Sequence, residues 1–203
     1  MVRAVTRHRE PVARMALVVG VALLLSPRPG AWANEATAKT EVLSTTGPVK
    51  VGGKAPRFAG WTGGNEVIRL DRLLRPPGGE PSAGLVVSFF ATWCKPCERG
   101  LPALSAVAGE LAEARVPILL VAVGERTQRF APFLKGLGVD LLAVEDRFGK
   151  ISQRYGVLSK DGEGKLPRTF VLDADGIVTT ILGQEGADFG ALLLSSFNPS
   201  SPK

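Results

Sequence analysis

The strongest constraint on the fold is an apolar run that leads directly to the only two cysteines of the 203-residue chain. The run 85–90 carries no charge and predicts a buried strand. Cys94 and Cys97 follow, and residues 98–114, rich in Leu, Ala and Glu, predict a helix. Cys94 would lie between strand and helix, where unpaired backbone N–H groups and the helix dipole favour a thiolate over a thiol. This placement indicates a redox-active dithiol.

Three other uses of a cysteine pair fit this sequence less well. A structural zinc site needs four ligands, and the chain supplies no second cysteine pair and a single histidine, His8. A passive disulfide normally closes a long loop, because a short loop restrains the unfolded chain very little. Chance spacing leaves the flanking strand and helix unexplained. A CxxC pair beside alternating strands and helices favours redox exchange, and we expect no metal and no other cofactor.

Residues 1–33 predict an export signal rather than a part of the fold. Four arginines precede an apolar stretch over 15–25, and the Ala-Trp-Ala sequence at 31–33 offers a cleavage site. The apolar stretch is shorter than the roughly 20 residues that span a bilayer. Cleavage before Asn34, with a periplasmic or secreted product, is therefore the prediction. An uncleaved leader that anchors the chain is the alternative.

Removal of the leader also removes most of the positive charge. The whole chain has 25 basic and 19 acidic residues and a net charge of +6. Residues 34–203 keep 20 basic and 18 acidic residues, which leaves a net charge near +2. Such a charge gives no reason to expect a polyanionic partner, and no basic cluster with interleaved aromatic residues is visible. We therefore expect no nucleic-acid partner.

Residues 34–203 also contain no histidine and no methionine. Protein copper sites use histidine or thioether ligands besides thiolates, and cysteine proteases use an imidazole beside the nucleophile. Neither can be assembled from this composition. Disulfide chemistry persists in exported compartments, so a chain with one dithiol points to exchange with the thiols of other proteins.

The remaining patterns predict one α/β domain. Residues 34–53 lack apolar periodicity and are interpreted as a linker, and residues 54–203 are long enough for one core. Strands that alternate with helices, followed by a hairpin and a helix, give a mixed central sheet flanked by helices. The patterns predict a hairpin over 58–70, strands over 85–90, 116–123, 141–144, 169–172 and 177–182, and helices over 71–74, 98–114 with a kink at Pro102, 127–137, 147–155 and 188–197.

Five segments carry a family resemblance: Gly-Lys-Ala-Pro-Arg-Phe at 53–58, the strand and Trp-Cys-Lys-Pro-Cys motif at 87–97, Pro102, the strand and turn at 119–125, and Leu-Pro-Arg-Thr-Phe with the following hairpin at 166–176. Together they resemble the thioredoxin superfamily and, within it, the TlpA/ResA-like extracytoplasmic thiol-disulfide oxidoreductases. The resemblance implies a thioredoxin-like fold with an N-terminal hairpin extension. It also implies a redox-active disulfide that reduces specific envelope proteins, often in cytochrome c maturation.

Within the motif, the spacing predicts different roles for the two thiols. Cys94 is the expected nucleophile, because its sulfur would project from the helix start towards solvent. Cys97, one helical turn further on and shielded, is the expected resolving thiol. Lys95 places a cation beside the thiolate and favours it, or is a solvated lysine whose charge is screened. Pro96 restricts the backbone between the thiols. Trp93 either packs or, as the resemblance favours, shapes the rim around Cys94.

The resemblance also implies that Pro167 lies in a cis-proline loop that faces the dithiol and docks the substrate backbone. A cis X–Pro bond is otherwise a minority conformation. The polar stretch 159–165 before it is longer than is usual in the family, and it either selects substrates or is a neutral surface insertion. The implied partners are protein disulfides and an envelope or membrane thiol donor. No assembly seam is visible in the pattern, so a monomer is expected.

Two positions depart from the family pattern. Ser88 stands where thioredoxins carry a buried aspartate, and Gly100 stands where ResA-like proteins carry a glutamate. Each of these carboxylates is associated with the proton of the resolving thiol, so proton transfer here would use water or Glu98. Two other functions stay open: a non-catalytic binding module with a rigidifying disulfide, and a thiol peroxidase. The residues do not fix the direction of exchange, which depends on the reduction potential.

Overall fold

The apolar run before the cysteines forms the central strand of an eight-stranded sheet in a computed structural model that describes residues 38–197. In chain order the elements are β1 (Val42–Leu43), β2 (Thr45–Thr46), β3 (Val49–Lys50), β4 (Ala59–Trp61), β5 (Val67–Arg69), α1 (Leu70–Leu74), β6 (Gly84–Phe90), α2 (Cys97–Ala106), α3 (Ala108–Glu113), β7 (Ile118–Val123), α4 (Thr127–Gly136), β8 (Ala143–Asp146), α5 (Lys150–Arg154), β9 (Arg168–Asp173), β10 (Val178–Leu182) and α6 (Phe189–Ser196).

The sheet is mixed, as the sequence predicts. Its strand order is β1-β10-β9-β6-β7-β8-β4-β5. The central strands β6, β7 and β8 are parallel, and the strands on either side pair antiparallel. Every residue of β6 and β7 is buried, because the sheet is covered on both faces. This double burial explains why both strands are continuous apolar runs instead of alternating patterns.

Alternate residues of β6 contribute to two separate cores. Val87 and Phe89 pack with Tyr155 and the residues of α1 and α5 on one face. Val86 and Phe90 pack on the other face with α2, α3, α4 and α6. Since side chains alternate along a strand, Ser88 belongs to the face that α2 covers. The active-site helix and the residue that departs from the family pattern therefore share one layer.

The predicted hairpin over 58–70 is confirmed as β4 paired with β5. The predicted helix over 98–114 is divided into α2 and α3. Pro102 lies inside α2 and has no N–H to donate to the carbonyl one turn earlier. Helical bonding starts again where Leu111 N–H donates to the Val107 carbonyl.

The sheet begins earlier in the chain than the sequence predicts. β1 lies within the segment 34–53 that was interpreted as a linker, yet it pairs with β10. Val49, in the same segment, is buried in the core. The described part of this segment is therefore packed against the domain, although the domain boundary before Lys54 stays a prediction. The predicted leader 1–33 lies outside the described residues. No helix between residues 38 and 197 has the length and apolar character needed to span a membrane.

Asp146 explains why the helix predicted over 147–155 begins only at Lys150. Its buried carboxylate accepts hydrogen bonds from Ile151 N–H (3.0 Å), Ser152 N–H (2.7 Å) and the Ser152 hydroxyl (2.5 Å). The chain reaches these donors through a turn in which Gly149 has φ +65°, a conformation that glycine adopts without a steric penalty. Asp146 thus joins the end of β8 to the first turn of α5.

Replacing Asp146 with alanine removes the acceptor of three hydrogen bonds and leaves two buried backbone donors unpaired. We expect the free energy of unfolding to fall by about 3 kcal/mol. Denaturant unfolding of the oxidised protein measures this change. Asp140→Ala removes an exposed carboxylate and serves as the control, with an expected change within about 0.5 kcal/mol. Equal stability of the two variants would contradict the capping role.

Candidate redox site

The two cysteines form a disulfide at the start of α2. Their sulfur atoms are 2.04 Å apart and their Cα atoms 5.3 Å apart. Cys97 is the first residue of the helix, and Cys94 lies in the turn that joins β6 to it. The Cys97 N–H points at Cys94 and lies 3.1 Å from its carbonyl oxygen and 3.3 Å from its Sγ. A backbone donor is thus in place to stabilise negative charge on the Cys94 sulfur.

Cys94 is less accessible than the sequence predicts. Its exposure is 4%, compared with 1% for Cys97, whereas a sulfur that projects towards solvent was expected. In the disulfide form the Cys94 sulfur is turned towards Cys97, and both cysteines belong to the apolar cluster that includes Phe90 and Leu101. Cys94 is the more exposed of the two residues by a small margin.

The other residues of the motif lie around this turn. Trp93, the residue before Cys94, is 55% exposed. Pro96 directly precedes the first residue of α2 and already has helical φ and ψ of −60° and −33°, so the helix begins one residue earlier than the predicted range 98–114. The Lys95 ammonium is largely exposed and lies 2.8 Å from the Glu98 carboxylate. An exposed ion pair of this kind contributes little, so Lys95 adds at most a modest field at Cys94.

A buried carboxylate that the sequence analysis did not identify anchors the active-site turn. Glu125, just after β7, accepts hydrogen bonds from the N–H (3.0 Å) and the hydroxyl (2.7 Å) of Thr92. Arg129 lies 3.0 Å from the same carboxylate and donates to the Thr92 hydroxyl at 3.1 Å. The turn is thus tied to the neighbouring strand two residues before Cys94. The position of Glu125 at the carboxyl end of a predicted buried strand was the available signal.

The loop that the resemblance assigned to substrate docking has the expected backbone. The Leu166–Pro167 peptide is cis. The pairing of β9 with β6 places Arg168 opposite Phe89 and Thr169 opposite Ser88. Leu166 packs against the apolar cluster that contains both cysteines. The proline loop and the disulfide therefore lie at the same end of the sheet.

The polar stretch 159–165 folds into a small ordered turn. Leu158 forms a bridge with Gly164, and Ser159 N–H donates to the Glu163 carbonyl at 2.8 Å. The Cα of Gly164 approaches the Trp93 ring so closely that a Cβ there would lie 3.3 Å from it. The stretch therefore lies against Trp93, the residue before Cys94.

A second carboxylate that the sequence analysis missed lies against α2 at Gly100. Glu185 belongs to the loop between β10 and α6, and its carboxyl group fills the position that a Cβ on Gly100 would take. Thr169 links this carboxyl to the active-site strand: its hydroxyl lies 3.4 Å from Glu185 Oε1 and 2.9 Å from the Ser88 hydroxyl. Burial raises the pKa of Glu185 to about 8, and the Thr169 hydroxyl opposes this shift. No sequence motif marks this residue.

The site is chemically suited to reversible disulfide exchange. It combines a closed dithiol, a backbone donor at the outer sulfur, a cis-proline loop and a buried carboxyl beside the helix of the inner sulfur. Between residues 38 and 197, no three His, Cys, Asp or Glu side chains come together in a way that would hold a metal ion.

The chain is similar in sequence to a curated thiol-disulfide oxidoreductase. The chain is 35% identical over 99 residues to the thiol-disulfide oxidoreductase ResA of Geobacillus thermodenitrificans (strain NG80-2), an alignment that covers 49% of the chain and 53% of ResA. It thus spans about half the length of this curated relative.

Solved structures share the fold at lower identity. A thiol:disulfide interchange protein of the thioredoxin family from Chlorobium tepidum TLS matches with a TM-score of 0.57 and 24% identity, over 71% of this chain and 96% of that one. The peroxidoxin BcpB from Mycobacterium tuberculosis matches with a TM-score of 0.64 and 19% identity, over 76% and 99%. The family model described as AhpC/TSA matches residues 51–181, more than half of the chain. The chain therefore belongs to the AhpC/TSA family, with a thioredoxin-like fold.

Proposed function

We propose that this protein is an exported thiol-disulfide oxidoreductase that exchanges electrons with the disulfides of envelope proteins. The observation that carries the proposal is the Cys94–Cys97 disulfide at the first turn of α2, beside the loop with the cis Leu166–Pro167 peptide. A dithiol at a helix start has one sulfur that is stabilised as a thiolate and one that can close on it. The similarity to the thiol-disulfide oxidoreductase ResA supports this activity.

The exchange proceeds in two steps in the reducing direction. The Cys94 thiolate attacks a sulfur of the substrate disulfide, a mixed disulfide forms, and the other substrate sulfur leaves as a thiolate. The Cys97 sulfur then attacks Cys94 Sγ, the Cys94–Cys97 bond forms, and the second substrate sulfur leaves with the electron pair. The substrate gains two electrons, and the protein is left oxidised. A thiol donor in the envelope returns it to the dithiol.

We assign the docking of the substrate backbone to the Pro167 loop and the rim of the site to Trp93. Pro96 and Lys95 support the turn and the charge of Cys94. The ordered stretch 159–165 contacts Trp93 through Gly164, so it borders the same docking surface. Reduction of specific proteins, with cytochrome c maturation as the process, follows from the TlpA/ResA resemblance. The signal-like pattern of residues 1–33 supports export.

Two other functions predict different behaviour. A thiol peroxidase is suggested by the AhpC/TSA family match and by the fold of the peroxidoxin. The direct Cys94–Cys97 disulfide over a separation of three residues favours exchange between dithiols instead. A non-catalytic module would keep the disulfide as a rigid part of a docking surface, and the backbone donor at Cys94 Sγ would then have no role.

Cys97→Ser provides a direct test of the exchange mechanism. Without the resolving thiol, the mixed disulfide on Cys94 has no internal route to resolution, so covalent adducts with envelope proteins should accumulate. Non-reducing electrophoresis of cell-envelope fractions detects them as bands that disappear on reduction. Cys94→Ser is the matched control and should trap nothing. Absence of adducts from the Cys97→Ser protein would favour the non-catalytic module.

The peroxidase alternative is separated by comparing two substrates. We expect the reduced protein to accelerate the reduction of insulin disulfides by dithiothreitol and to turn over hydrogen peroxide no faster than the Cys94→Ser variant. The reason is that Cys97 can form a disulfide with Cys94 after Cys94 has attacked a sulfur of the substrate disulfide. Peroxide turnover that depends on Cys94 and exceeds insulin reduction would establish the peroxidase instead.

The direction of exchange is tested by the reduction potential. Residues 34–203 contain two tryptophans, Trp61 and Trp93, so the Trp61→Phe variant of the mature chain reports on Trp93 alone. Titration of its fluorescence against dithiothreitol redox buffers should give a potential far below the about −120 mV of a strong envelope oxidant and near the about −270 mV of thioredoxin. A potential at the oxidising end would reverse the proposed direction.

A further inference from the structure

Glu185 is a half-buried residue whose Oε2 atom is shielded from water. Its carboxyl group lies against the helix of the redox site but takes no part in the exchange steps described above. The Oε2 atom has no hydrogen-bond partner among the described residues. A buried polar atom without a partner costs free energy. An orphaned carboxyl oxygen beside the active-site helix therefore calls for a function.

The position of this oxygen relates it to the resolving thiol. Glu185 occupies the space above Gly100 where a side chain would start. Gly100 lies three residues after Cys97 in α2, and positions three apart on a helix are neighbours on one face, with Cβ atoms about 5–6 Å apart. The carboxyl oxygen therefore lies about 5–6 Å from the Cβ of Cys97, a separation that one bridging water can span on the way to its sulfur. Only a glycine at position 100 leaves room for it.

The loop that carries Glu185 is held from both sides by the segment before β1. Gly183 N–H donates to the Glu41 carbonyl at 2.7 Å, and Gly186 N–H donates to the Thr40 hydroxyl at 2.9 Å. On the sheet side, the Thr169 hydroxyl lies within hydrogen-bond distance of both Glu185 Oε1 and the Ser88 hydroxyl in β6. A hydroxyl donates one proton and can also accept, so this chain of hydroxyls accommodates Glu185 both with and without its proton.

We propose that Glu185 carries the proton of Cys97, as the acid when the disulfide opens and as the base when it closes. The inference rests on the proposed function. When a donor thiolate attacks Cys94 Sγ, a new sulfur–sulfur bond forms and the Cys94–Cys97 bond breaks. The electron pair of the broken bond goes to Cys97 Sγ, which takes the proton of the Glu185 carboxylic acid. In the closing direction the Glu185 carboxylate takes this proton back as Cys97 attacks.

The chemistry of the two groups is matched. In the disulfide form the pKa of Glu185 is about 8, close to the about 8.5 of an ordinary thiol. A proton therefore passes between them with little change in free energy in either direction. At neutral pH the disulfide form holds the carboxyl mostly protonated, which is the state needed to protonate the departing Cys97 sulfur.

Charged residues also lie on the elements around Glu185. They are Arg99 on α2, Arg168 on β9, Asp188 at the start of α6, and Glu41 before β1. Arg168 lies 3.4 Å from Glu41, and Asp188 accepts a hydrogen bond of 2.6 Å from Thr40 N–H. β6 and β10 contribute no charged residue. The shift in the pKa of Glu185 is set by burial and by Thr169.

The test compares the opening of the disulfide by dithiothreitol in the full chain and in Glu185→Gln, followed by stopped-flow tryptophan fluorescence. Glutamine keeps the size of the side chain and has no proton to transfer. We expect opening to slow by about 100-fold at pH 7, the lower end of what a positioned acid or base contributes. The ionisation of dithiothreitol affects both rates equally, so its pH dependence drops out of the ratio of the two rates. This ratio should stay constant below pH 7 and fall towards one as the pH rises through about 8, where the acid form is lost.

A purely structural role for Glu185 predicts a ratio that does not change with pH, and this result would overturn the proposal. Glu113→Gln, which removes an exposed carboxylate from α3, is the control and should leave the ratio at one. A pH-dependent loss of rate in Glu98→Gln but not in Glu185→Gln would assign the proton to Glu98 and would also overturn it. Gly100→Asp combined with Glu185→Ala moves the carboxyl onto α2 and should restore most of the lost rate.

An independent measurement on the unchanged protein covers the case in which Glu185→Gln fails to fold. The infrared spectrum of the oxidised protein should show a protonated carboxyl band at pH 6 that disappears above pH 9, and its absence at pH 6 would overturn the proposal. The outcomes also separate the two proposals. Adducts on Cys97→Ser with a flat rate ratio contradict only the role of Glu185, whereas the absence of adducts contradicts the proposed function itself.

Discussion

The antiparallel pairing of β6 with β9 joins two parts of the site that are far apart in the sequence. In this register Ser88 lies opposite Thr169, 81 residues later, and their hydroxyls are 2.9 Å apart. The same pairing fixes the end of β6, from which the cysteine turn extends, beside the start of β9, which follows the cis Leu166–Pro167 peptide. Both strands are interior strands of the sheet, so their register is set by burial on both faces, since a shift by one residue would exchange the two cores.

The layer between β6 and α2 carries a connected group of polar side chains beside the redox site. Ser88 and Thr169 are buried on the face that α2 covers, and Glu185 completes the group from the loop after β10. A carboxyl group in such a place keeps its proton, because the charged form loses its hydration. The other buried carboxylates near the ends of strands, Glu125 and Asp146, have several donors each. They hold a turn and a helix, whereas Glu185 has one weak partner and an unpartnered oxygen.

Much of this arrangement could be predicted from the sequence, because it depends on local patterns. The buried strand before Cys94, the helix after it and the hairpin over 58–70 all follow from apolar periodicity and turn residues. The cis peptide before Pro167 came from the family resemblance, since local sequence alone describes an ordinary turn. The sequence did not identify Glu185, because its proximity to Gly100 arises only when α6 and β10 pack beside α2. The low exposure of Cys94 likewise depends on the closed disulfide and on the packing around it.

The short strand β1 has a consequence for how the protein is handled. It covers the outer edge of β10, and residues just before it bind the loop that follows β10. Trimming the chain back to Lys54, where the sequence places the start of the domain, would uncover that edge. An uncovered strand edge is a template for pairing between molecules, so a shortened preparation would be prone to self-association. A preparation that begins at Asn34 keeps the edge protected.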